Sequence, residues 1–97
     1  MGWKIWFSNT ARKGIAKLPP KARDAVEFLT AELEAIGPVL PSWPHYGKII
    51  GRPDCHHCHI LRGRPTYVAV WRERTDENEI EVLYVGSHEG ANYRRIC

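Results

Sequence analysis

Five consecutive residues, Cys55-His56-His57-Cys58-His59, carry the densest set of ligating and proton-transferring side chains in this sequence. Three chemistries suit them. Cys-x-x-Cys-His is the attachment pattern of covalent haem, a use that needs an oxidising compartment and a distal axial ligand. Zinc takes Cys and His, and a closed tetrahedral site takes four of them. A strand, however, sends Cys55, His57 and His59 to one face and His56 and Cys58 to the other. Zinc would then need a loop here and further ligands elsewhere, with Cys97 as one candidate. The third chemistry takes the strand at face value. His57 and His59 stand about 7 Å apart on one face, and imidazoles near neutral pH exchange protons with a substrate. Solvated strand residues without chemistry are the plain alternative.

A second segment bears on the choice. Val85-Gly86-Ser87-His88-Glu89-Gly90-Ala91-Asn92-Tyr93 leaves the last strand candidate through glycine turns and carries a further His and a Tyr. If that strand lies in the same sheet, His88 and Tyr93 reach the face that holds His57 and His59. Tyr93 is equally suited to anchoring the tail by packing.

The elements that must position these side chains can be read from patterning. Trp3 to Phe7 is a strand of aromatic and β-branched residues. Ser8 is an N-cap, and Thr10 to Leu18 forms a short helix with Ala11, Ile15 and Leu18 on one face, weakened by Gly14. Pro19-Pro20 opens a second helix running to Ile36, with Ala22, Ala25, Val26, Leu29, Leu33 and Ile36 as its apolar stripe. Gly37-Pro38 stops it. Residues 37–54, rich in Pro and Gly, read as an ordered loop leading into a strand. Cys55 to Leu61, Thr66 to Arg74 and Ile80 to Val85 are three strands joined by short turns. The expected fold is α+β in two layers, β-α-α-β-β-β, with a mainly antiparallel four-stranded sheet and two N-terminal helices on one face.

The chain has 97 residues and a formal net charge of +3, which fits a single domain over 1–97. The first fifty residues hold seven basic and four acidic side chains, and the rest hold seven of each. The second half therefore becomes cationic only when its four histidines are protonated. No apolar run is long enough to span a membrane and no signal peptide opens the chain, so a cytoplasmic location is expected. Three cysteines without an export signal argue against a disulfide framework.

The order of these phrases resembles the RelE branch of the RelE/ParE superfamily of type II toxins. The resemblance covers nearly the whole chain. It rests on the opening strand and the helix ending in Lys17-Leu18-Pro19, on Gly51-Arg52-Pro53-Asp54-Cys55, on Tyr67-Val68-Ala69-Val70-Trp71, and on Leu83-Tyr84-Val85-Gly86. It implies a toxin that cleaves messenger RNA on the ribosome and is neutralised by a cognate antitoxin, with no cofactor and no metal. His57 and His59 fall where the family commonly has two lysines, His88 where it has an Arg, and Tyr93 near its C-terminal Tyr. Val68 stands where an Arg is common. Cleavage by the ribose's own 2′-hydroxyl needs a base, a cation and an acid. His57, His59 and His88 are candidates for base and acid. Arg62, Arg64 and protonated His are candidates for holding phosphate, with Lys48 and Arg52 adding charge and Tyr93 orienting the 2′-hydroxyl or stacking on a base. A gyrase-directed ParE-like toxin is one rival. A degenerate module that binds only antitoxin or metal is another.

Overall fold

The computed structural model describes residues 2–97. Strand β1 (Lys4–Phe7) leads directly into helix α1 (Asn9–Ala16). The Ser8 hydroxyl accepts the Ala11 N–H at 3.0 Å and donates to the Leu83 carbonyl at 3.0 Å, so the cap also fastens the helix to the sheet. Helix α2 (Pro20–Ile36) begins with the expected proline and buries Ala22, Val26, Leu29 and Leu33. It ends at Gly37, whose φ of 111° favours a residue without Cβ, and the Gly37 N–H closes on the Leu33 carbonyl at 3.0 Å.

Five strands, rather than four, form one mixed sheet in the order β1-β5-β4-β3-β2. The additional strand is β2 (Gly47–Ile49), three residues within the Pro/Gly-rich segment. It pairs antiparallel with β3 (Arg52–Leu61), which pairs with β4 (Tyr67–Arg74), which pairs with β5 (Glu79–Ser87). A 3-10 turn over Thr75–Glu77 joins the last two. Only β1 runs parallel to its neighbour, β5. A four-residue helix, α3 (Tyr93–Ile96), follows and was absent from the sequence reading.

One sheet face carries the core. Cys58, Ile60, Ala69, Trp71, Ile80, Val82 and Val85 pack against Ala11, Leu18, Val26, Leu29, Leu33 and Leu40. Each large side chain fully withdrawn from water there contributes about 1.5–3 kcal/mol. The opposite face holds His57 and His59, in register with Val70 and Val68. Contrary to expectation this face is not bare. Cys55, Val68 and Val70 on it are fully buried, because the C-terminal segment crosses it. The Tyr93 ring lies 5.0 Å from that of His57, and Cys97 is joined to Cys55 as a disulfide. The sequence argued against a disulfide framework, and this one pairing departs from that expectation. Only Cys58 remains free, buried on the core face.

Gly14 was expected only to weaken α1. In the structure it is where the helix meets β5, and a Cβ there would overlap the Val85 carbonyl. Gly14→Ala gains about 1 kcal/mol of helix propensity. The forced separation of α1 from the sheet outweighs this, for an expected net loss of about 1–3 kcal/mol. At roughly 4–8 °C per kcal/mol for a domain of this size, thermal melts resolve the change. An unchanged or raised midpoint would show that α1 does not pack this closely.

Candidate active site

Four histidines and one tyrosine meet on the covered face. The extended backbone of β3 supplies His57 and His59. The His59 N–H donates to the Pro44 carbonyl at 2.8 Å, which brings the loop before β2 alongside the strand. His45, with φ of 55°, then stacks its ring on that of His59 at 4.1 Å. Beyond β5, the His88 N–H donates to the Thr66 carbonyl at 2.7 Å. The His88 ring meets that of His59 edge-on at 5.3 Å. The Asn92 side chain accepts the Arg95 N–H at 3.3 Å and starts α3 so that Tyr93 tilts against His57.

A cleft of about 490 Å³ opens beside this pair, lined by Lys48, Ile49, Ile50, His57, Tyr93 and Arg94. Arg94 lies here beside an imidazole and a phenol, whereas Lys48 pairs with His56 and its charge acts on His56 and Glu73 across the strand. The His57 Nδ1 is buried without a hydrogen-bond partner. Burial first, then the neighbouring His45, His56 and His88, lowers the His57 pKa below its ordinary value. His59 is lowered by burial, then by His45, His88, His57 and Arg62. Burial raises the Tyr93 pKa, reinforced by Tyr84 and Cys58. Near neutral pH, His57 and His59 are therefore unprotonated and fit to accept a proton, and Tyr93 keeps its own. Arg94 brings a fixed positive charge to the cleft.

The other basic candidates divide. Arg62 is exposed in the turn after β3 and close enough to act on His59. Arg64 lines a separate groove with Gly63, Pro65, Ser87 and Glu89. Arg52 is exposed at the start of β3, about 16 Å along the strand from His57. Val68 is fully buried in mid-sheet, so no charge stands where the family resemblance places an Arg. His45 and Arg94 were missed. Arg94 follows the recognised Tyr93 directly, whereas nothing in the spacing around His45 marks it.

The two remaining members of the five-residue run serve the fold. His56 is buried on the core face between Tyr46 and Trp71, and Cys58 lies in the core. Strand alternation thus separates the donors that zinc would require. Among the described residues, no three His, Cys, Asp or Glu side chains are grouped to hold a metal ion.

No protein-family model and no curated protein matches this sequence. Solved structures do. A mutant of the E. coli toxin RelE in the free state superposes with a TM-score of 0.73 at 23% identity, over 94% of this chain and 88% of that one. The chain has the RelE fold. The RelE of an archaeal RelE–RelB complex from Pyrococcus horikoshii gives a TM-score of 0.74 at 17% identity, over 94% of this chain and 100% of that one. A metal-bound toxin from Helicobacter pylori gives 0.70 at 17%, over 93% and 99%. Within the RelE fold, the phrases that carried the sequence resemblance fall on structural elements. Gly51 to Cys55 forms the β2–β3 turn and the start of β3. Tyr67 to Trp71 opens β4, and Leu83 to Gly86 lies in β5.

Proposed function

We propose that this chain is the toxin of a type II toxin–antitoxin system, a ribosome-dependent endoribonuclease that cleaves messenger RNA and stops translation. The observation that carries this reading is the cleft in which His57 and Tyr93 stand beside Arg94 on a RelE fold. His57 takes the proton of a ribose 2′-hydroxyl, which Tyr93 orients. The 2′-oxygen then attacks the adjacent phosphorus. Arg94 balances the charge that develops on the phosphorane, with Arg62 beside His59 in reserve and Lys48 adding positive charge at the strand edge. As the bond to the 5′-oxygen breaks, His88 hands the leaving group its proton. The products are a 2′,3′-cyclic phosphate and a 5′-hydroxyl. This scheme assigns no role to Arg52, and Arg64 acts only as a more distant phosphate contact.

The partner is a small antitoxin laid across the sheet as a helical or extended segment. Trp6, 54% exposed on edge strand β1, gives such a segment an apolar anchor. Beside it lies a cleft of about 300 Å³ lined by Arg72, Arg74, Glu79 and Glu81.

Induced expression tests the reading directly. Growth should arrest, primer extension should find new 5′ ends within coding sequences, and co-expressed antitoxin should relieve both. Arrest with intact transcripts and damaged DNA would transfer the target to gyrase. Normal growth at full expression would remove the toxin reading.

A further inference from the structure

Cys55 and Cys97, 42 residues apart in sequence, are joined as a disulfide with their Cα atoms 6.6 Å apart. Cys55 is fully buried on β3, two residues before His57 and on the same strand face. The Cys97 N–H donates to the Tyr93 carbonyl at 3.2 Å. One helical turn therefore links the sulfur to the ring that rests on His57. Little else secures this turn. Helix α3 has four residues, none of them buried, and an Asn92 cap. So short a helix has no stability of its own, and chain ends fray unless something ties them down. Arg94, which also lines the cleft, lies on the same turn.

We infer that the Cys55–Cys97 disulfide is a clasp that positions Tyr93 and Arg94 over His57, so that the cleft is assembled in the oxidised chain and dispersed in the reduced one. That this cleft cleaves RNA rests on the function proposed above; the clasp itself does not. Closing it converts two thiols into one S–S bond. The two electrons and the two protons pass to a low-molecular-weight disulfide, which is split into two thiols. A dithiol reverses the step. Intracellular disulfides of this kind are commonly redox-sensing rather than structural. The third cysteine cannot compete for either partner. Cys58 lies on the opposite face of β3 with its thiol pushed up to about 12 by burial.

The test compares wild type after oxidised glutathione, wild type after dithiothreitol, and Cys97→Ser under both treatments. Amide exchange of residues 94–97 and the proton–proton contact between Tyr93 and His57 report the tail by NMR. Cleavage of ribosome-bound messenger RNA reports the cleft. Reduction should speed tail exchange at least tenfold, erase the Tyr93–His57 contact and leave the core strands protected. It should lower kcat by roughly ten- to a hundredfold with a much smaller change in KM. Cys97→Ser should match reduced wild type and ignore both reagents. If no form cleaves RNA while the tail still responds, the clasp stands and the proposed activity falls. A tail equally protected in the reduced chain and in Cys97→Ser, or three titratable thiols after oxidation, would overturn the clasp.

Discussion

His57→Ala should cut RNA cleavage by about 10²- to 10⁴-fold, the usual contribution of a positioned general base, while leaving antitoxin binding and the melting temperature nearly unchanged. The side chain is half-buried and its Nδ1 stabilises nothing by hydrogen bonding, so its loss removes chemistry more than structure. The pH profile separates this role from simple packing. Burial and three neighbouring imidazoles lower the His57 pKa, so the proton-accepting form persists to more acidic pH than for a free histidine. The ascending limb of kcat/KM, which reports the free protein, should lie below pH 6.5, the ordinary histidine value. His57→Ala should abolish the ascending limb. A loss below tenfold, or an ascending limb that survives the substitution, would take the base role away from His57.

How far the sequence discloses this arrangement depends on how local the governing physics is. Helix α2 was readable to its end residues because Pro20, the 3.6-residue apolar stripe and Gly37 all act within a few positions. Strand alternation likewise divided Cys55, His57 and His59 correctly from His56 and Cys58. Features set by distant partners were not readable. Strand β2 has three residues and exists because Gly47 and Lys48 pair with His57 and His56. His45 joins the cluster only because Pro44 accepts a backbone bond from His59. Cys97 meets Cys55 only once α3 turns the tail back across the sheet. Gly14 shows the same limit from the opposite side. Local propensity marks it as a weakness, and the contact with Val85 makes it a requirement.

His56, invisible from outside, should matter as much to stability as His57 does to chemistry. His56→Leu should cost about 2–4 kcal/mol, since it fills most of the space but strands two polar partners. The Tyr46 hydroxyl lies 2.7 Å from Nδ1 and the Glu73 carboxylate 2.6 Å from Nε2. The ring is stacked 6° from parallel with Trp71. Burial outweighs the pull of Glu73 and lowers the His56 pKa. The ring is therefore neutral, accepting from Tyr46 and donating to Glu73. Burial would raise the Glu73 pKa, but hydrogen bonds from Thr75 and His56 more than offset this and hold it low. Both groups bind protons more readily when the chain unfolds, so both lose stability toward acid. The His56 contribution is complete above about pH 6.5 and declines as the pH falls from there toward its depressed folded value. The Glu73 contribution is complete above the ordinary carboxylate value of 4.5 and declines as the pH falls through its own lowered pKa. Wild-type melting temperature should thus fall in two stages between pH 7 and pH 3. His56→Leu should begin roughly 10–25 °C lower at pH 7 and lose part of the first stage. His57 and His59, also depressed, keep the remainder of it. If the variant's melting temperature ran parallel to that of wild type from pH 7 to pH 5, His56 would bind its proton equally in the folded and unfolded chain, and the neutral relay between Tyr46 and Glu73 would be wrong.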